Sequence, residues 1–136
     1  MFNIQEMIER ETENGYSEEK AVSLLINSDE QMFAEKLRSL LRFGPVSTRF
    51  KDVFDLRYLS NKVDKEKLKV CLESYIYNDS AMKENDILSI LKRIEMTFNN
   101  ETYYNALESS EKNWLDENMD SVLNNLLNFL CALNKE

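Results

Sequence analysis

Two glycines and one proline in 136 residues leave this chain almost nowhere to reverse direction sharply. Tight hairpins need residues that accept positive φ or pre-set it near −65°, and an all-β chain of this length needs many of them. Leu, Glu, Lys and Asn are abundant instead, and all but Asn favour helix. The fold class is therefore all-α. The length suits one domain burying roughly two-thirds of its unfolded surface, enough for a core without staples.

Apolar spacing divides the chain into a lead-in (residues 1–27), a pair of helices (28–61) and a set of C-terminal helices (62–136), a single bundle of about six to seven helices. In the lead-in, Phe2, Ile4, Met7 and Ile8 mark a weak helix that ends at Asn14-Gly15. A second segment follows from Ser17 into Ala21–Ile26, where a strand over Val22–Ile26 is equally compatible with the pattern. Ser28-Asp29-Glu30-Gln31 reads as a capping box, with Ser28 capping and Gln31 returning the bond. The helix it opens carries Phe33, Leu37, Leu40 and Leu41 on one face, and Gly44-Pro45 stops it through a left-handed glycine cap. Ser47 or Thr48 is placed to cap the next helix, Phe50–Ser60. Further helices are expected from Asp64 through Ile76, over 82–97, over Thr102–Leu107, and from Glu111 to Leu133.

The net charge is −8, from 17 basic and 25 acidic residues, which disfavours a general nucleic-acid binder. The distribution is uneven. Between Glu35 and Arg57, six basic residues face three acidic ones, a local +3 that leaves −11 elsewhere. Such a stretch suits a phosphorylated ligand, or is simply a basic helix face. There is no histidine, so His-based triads and the usual zinc sites are excluded. Cys71 and Cys131 lie in apolar helical patterns and form neither a metal spacing nor a disulfide framework. No signal peptide or membrane-length apolar run is apparent, so a cytoplasmic location is the simplest expectation.

Two stretches are left to carry chemistry. Helical projection puts Glu35, Arg38 and Arg42 opposite Phe33, Leu37 and Leu40, with Lys36 at the apolar edge. A lysine there commonly lays its stem on the core and snorkels outward. In the following helix Lys51, Asp55 and Tyr58 form one narrow stripe, with Asp52 beside it, on a helix otherwise apolar around most of its circumference. Such a helix is generally buried, and charges near a core need partners. The stripe is either a structural Lys–Asp pair worth a few tenths of a kcal/mol, or an ionic edge facing a ligand cleft.

Taken in order, Ala34-Glu35-Lys36-Leu37 and Thr48-Arg49-Phe50-Lys51-Asp52-Val53-Phe54-Asp55 resemble the last two shared motifs of the AbiEii/AbiGii-type nucleotidyltransferase toxins. These belong to the abortive-infection and toxin–antitoxin branch of the polymerase-β-like nucleotidyltransferases. The resemblance runs from about residue 30 to the end, where Trp114 and a Leu-rich helix match the family's C-terminal half. It implies nucleotide transfer from an NTP to an acceptor, often a tRNA. Lys36, Lys51 and Arg49 would contact nucleotide phosphates, with Glu35 orienting. Asp55 would be the candidate base or orienting carboxylate, and Asp52 would complete the site.

The family also holds Mg²⁺ with a Gly-Ser turn and a carboxylate pair on an N-terminal sheet. This sequence has no Gly-Ser and no carboxylate pair on a strand. Metal-assisted phosphoryl transfer depends on such ligands. The chain is therefore expected to be a truncated or split member, inactive alone, needing no cofactor itself and Mg²⁺ only with a complete core. Its expected partners are an N-terminal nucleotidyltransferase half or an antitoxin, with no membrane, and apolar surface left by a missing sheet would favour self-association. The competing expectation is an acidic helical interaction module. It predicts ordinary ion pairs among Lys36, Lys51 and Asp55 with no concavity between them, whereas the first reading predicts an open cleft there.

Overall fold

A computed structural model describes residues 28–134, and the expectations for the 1–27 lead-in lie outside the described residues. Six α-helices follow one another: α1 (Asp29–Phe43), α2 (Lys51–Ser60), α3 (Lys65–Leu72), α4 (Ile87–Phe98), α5 (Glu101–Ser109) and α6 (Met119–Asn134). No strand occurs among the described residues, as the scarcity of turn formers requires. A 3-10 turn (Gly44–Val46) follows α1, and a wider π-type turn (Glu73–Tyr77) extends α3.

Helix α1 is the spine. It packs on α2 and α3 and touches α4, while α6 closes the other side against α2 and α4. Phe33, Leu37, Phe54, Leu56, Leu68, Ile90, Ile94 and Leu126 are fully buried where these helices meet, each worth about 1.5–3 kcal/mol of burial. Phe33 meets Phe129 at 5.5 Å between ring centres, tying α1 to α6. The short helix α5 hangs from α4 and the 3-10 turn, and its Tyr103 packs between Phe50 and Phe98.

The termini follow local chemistry, sometimes differently from expectation. Ser28 Oγ accepts the Gln31 N–H at 3.1 Å, but Gln31 donates its side-chain amide to Glu35 instead of completing the box. Gly44 has φ 53° and ψ −135°, outside the left-handed helical well, and its N–H returns to Leu40 O. Neither Ser47 nor Thr48 caps α2. Ser47 Oγ takes the Arg49 N–H, and backbone turns at Arg49 and Phe50 start the helix one residue later.

Helix α4 begins at Ile87 rather than near residue 82, because Asp86 and Ser89 form the reciprocal capping box that fixes a start there. The largest correction concerns the last helix. Residues 111–118 are not helical: Glu111 sits at φ 57°, and Asn113 spends its amide on Leu115 N–H and Glu117 O. Asn118 then accepts the Ser121 N–H at 2.9 Å, in the N-cap position ahead of α6. Asn competes with the helical backbone through such local bonds.

Candidate functional site

The face between α1 and α2 gathers the residues singled out in the sequence. Phe33, Ala34 and Leu37 anchor α1 in the core, which brings the neighbouring Lys36 to the seam with α2. Val53, Phe54 and Leu56 do the same for α2, leaving Asp52 and Asp55, three residues apart, turned toward Lys36. The ammonium lies 3.2 Å from Asp52 Oδ1 and 3.1 Å from Asp55 Oδ2. Sixteen residues of sequence separation close into one ionic knot.

Each carboxylate has a second partner. Arg49 Nε is 3.0 Å from Asp52 Oδ2, although without hydrogen-bond alignment. Lys51 Nζ is 3.9 Å from Asp55 Oδ2, and the Trp114 indole N–H donates to Asp55 Oδ1 at 2.7 Å. Exposure separates the cations by role. The side chains of Arg49 and Lys51 are 65% and 68% exposed, while Lys36 is 25% exposed, Asp55 14% and Asp52 7%. Arg49 and Lys51 can thus swing to a ligand at little cost, whereas Lys36 is held in place. Burial works against its charge, but Asp55 and Asp52 outweigh that and raise its pKa above 10.5.

A shallow groove of about 350 Å³ opens beside the knot, lined by Met32, Glu35, Lys36, Ser39, Arg49 and Asp52. Glu35 is also the rim of a second depression of about 530 Å³ with Arg38, Ser74, Tyr75 and Asp79. The concavity lies on the Lys36, Arg49 and Asp52 side of the knot, and Lys51 and Asp55 do not line it.

The local excess of positive charge does not form a free cationic patch. Five of its six basic residues have carboxylate partners: Lys36, Arg49 and Lys51 as described, Arg38 with Asp79 at 2.6 Å, and Arg57 with Glu117 at 3.2 Å. Arg42, by contrast, lies 5.6 Å over the Phe43 ring. A phosphate would have to share or displace these partners.

Sequence reasoning named Trp114 only within the resemblance and gave it no place in the site. Trp114 reaches Asp55 across 59 residues from the non-helical segment before α6, which no local pattern announces. Tyr103, buried in α5, has a hydroxyl without a hydrogen-bond partner, and burial and then the Asp52 charge push its pKa up.

Magnesium, which the resemblance brings with it, does not fit these residues. The Lys36 ammonium already bridges the two aspartates, and no group of three or more Cys, Asp or Glu among the described residues is spaced to hold a metal ion. Mg²⁺ demands near-ideal octahedral oxygen coordination, which two lysine-bound carboxylates do not present. No helix among the described residues is long and apolar enough to cross a membrane.

Comparison with curated proteins and with solved structures gave no match. A family model described as "Nucleotidyl transferase AbiEii toxin, Type IV TA system" matches residues 3–125, so the likeness also takes in the lead-in upstream of residue 30. With the motif residues meeting at one seam and the match covering most of the sequence, the chain belongs to the AbiEii nucleotidyl transferase toxin family of type IV toxin–antitoxin systems.

Proposed function

We propose that the α1–α2 face is the helical wall of a nucleotidyltransferase site, supplying contacts to NTP phosphates and to the acceptor. The observation that carries this reading is Lys36 of α1 meeting Asp55 and Asp52 of α2 within 3.2 Å at the edge of an open groove. Arg49 and Lys51, exposed and each tied to a single carboxylate, make the first contacts with an incoming triphosphate. As the phosphates come to share the Lys36 ammonium, its hold on Asp55 weakens while Trp114 keeps that carboxylate oriented. It is then free to accept the hydroxyl proton of the acceptor, or to orient that hydroxyl toward the α-phosphorus as pyrophosphate leaves. Glu35, on the groove rim and bonded to Gln31, orients the approach.

Nucleotidyl transfer also needs divalent charge on the transferring group, which these residues do not hold. The wall therefore acts with a metal-binding half rather than by itself. The acceptor in this reading is a tRNA, and the partner that restrains the site is an antitoxin.

A second reading, a non-catalytic interaction module, is favoured by one observation: five of the six basic residues already have internal partners. Thermal melting with MgATP, MgCTP and MgGTP separates the two. A ligand at 100 times its Kd adds about 2.7 kcal/mol. The nucleotidyltransferase reading expects stabilisation by at least one nucleotide in the native chain, lost in both Lys36→Met and Lys51→Met. Absence of stabilisation by all three leaves the interaction module as the account of this face.

A further inference from the structure

We infer that Trp114 and Tyr58 form a stacking shelf for the base of the nucleotide whose phosphates the Lys36–Lys51 cluster holds. This rests on the phosphate-binding reading above and adds the other end of the ligand. The two rings stand 5.0 Å apart, tilted by 56°. They are large aromatics left in solvent, Tyr58 40% and Trp114 49% exposed, beside an otherwise well-buried α2. Lys62 Nζ lies 4.8 Å over the Tyr58 ring, so the indole of Trp114 offers the main stacking surface.

Position makes the shelf part of the site. Lys51, Asp55 and Tyr58 follow one another along one stripe of α2, about 10 Å from end to end at 1.5 Å per residue. That is comparable to the reach of a nucleotide from phosphate to base. Asp55 joins the two ends: Oδ2 faces Lys36 and Lys51, and Oδ1 receives the Trp114 indole N–H. The bond fixes the indole against the stripe while leaving half its surface open. A half-exposed tryptophan pinned by a partly buried carboxylate contributes little to the core. Its chemistry suits a flat, π-faced ligand, because stacking on an aromatic side chain accepts any base.

The same chemistry would take a base from a free nucleotide or from the end of a nucleic-acid strand. The continuity of the stripe with the phosphate cluster assigns it to the free nucleotide. The test measures, by calorimetry on the full chain, the affinities of MgATP and of magnesium tripolyphosphate, together with quenching of Trp114 fluorescence. Trp114 is the single tryptophan, so the signal is unambiguous.

The shelf predicts that MgATP binds about tenfold or more tightly than tripolyphosphate and quenches the indole. The advantage should vanish in Trp114→Ala, fall in Tyr58→Ala, and persist largely in Trp114→Phe, which keeps an aromatic face and loses the N–H. Equal affinity for both ligands, unchanged in Trp114→Ala, overturns the shelf and leaves the phosphate site standing. Failure of both ligands to bind overturns the phosphate site and the shelf with it. Quenching by a short single-stranded oligoribonucleotide but not by MgATP overturns the assignment to the free nucleotide.

Discussion

Replacing Lys36 with Met removes the charge at the centre of the site while keeping most of the length of the stem. Breaking a buried ion pair by deleting one partner costs about 3–5 kcal/mol. Two features reduce that here. A quarter of the Lys36 side chain remains in water, and each aspartate keeps a second partner, the Arg49 charge for Asp52 and the Trp114 N–H for Asp55. Roughly half the full cost, about 2 kcal/mol, should remain. For a domain of this size that corresponds to a fall in Tm of about 6–10 °C. The pH dependence has a definite sign. The folded pKa of Lys36 is raised above its ordinary 10.5, so its contribution is complete below pH 10.5 and is lost as pH rises through the folded value. Urea denaturation of native and Lys36→Met chains should therefore give a constant gap from neutral pH to about pH 10 that closes only above it. A Lys36→Met, Asp55→Asn double-mutant cycle should show coupling of at least about 1 kcal/mol. A loss under about 0.5 kcal/mol for Lys36→Met would place the knot among ordinary surface pairs and refute the reasoning.

Gly44→Ala should cost about 1–3 kcal/mol in denaturant unfolding, because φ 53° disfavours a side chain and a Cβ there would overlap the Arg93 guanidinium. Adding Arg93→Ala should recover only the steric share, and full recovery would show that the backbone is unstrained. The two thiols should differ: burial pushes Cys71 up to about 11, whereas Cys131 is half-buried. At pH 8 a thiol reagent should label Cys131 in the native chain and Cys71 only after unfolding. Because the unfolded Cys71 thiol ionises near 9 and the folded one near 11, its share of stability should fall as pH rises between those values.

Much of the site was legible because its parts are local. The stripe of Lys51 and Asp55 and the adjacent Asp52 follow from helical projection of ten residues, and Lys36 lies at the apolar edge where projection puts it. The sequence could not show that Lys36 bridges both aspartates, since that depends on how α1 and α2 pack. It also suggested free positive charge between Glu35 and Arg57, whereas Asp79 and Glu117, from distant loops, absorb Arg38 and Arg57. Helix starts were misjudged where polar side chains decide them. Asp86 and Ser89 set the start of α4, and Asn113 and Asn118 hold residues 111–118 out of α6. That last device delivers Trp114 to Asp55, so the same local chemistry hid both the helix boundary and a site residue.

The indole N–H of Trp114 gives one resonance in a nitrogen–proton NMR spectrum of the chain, and its hydrogen bond to Asp55 Oδ1 makes it a direct reporter of the seam. Titration with a magnesium nucleoside triphosphate should shift that resonance saturably. Mg²⁺ alone should leave it in place, and Lys36→Met should abolish the nucleotide-dependent shift. A resonance that stays fixed through saturating nucleotide, or moves equally in the variant, would contradict a phosphate-binding role for the Lys36–Asp52–Asp55 cluster.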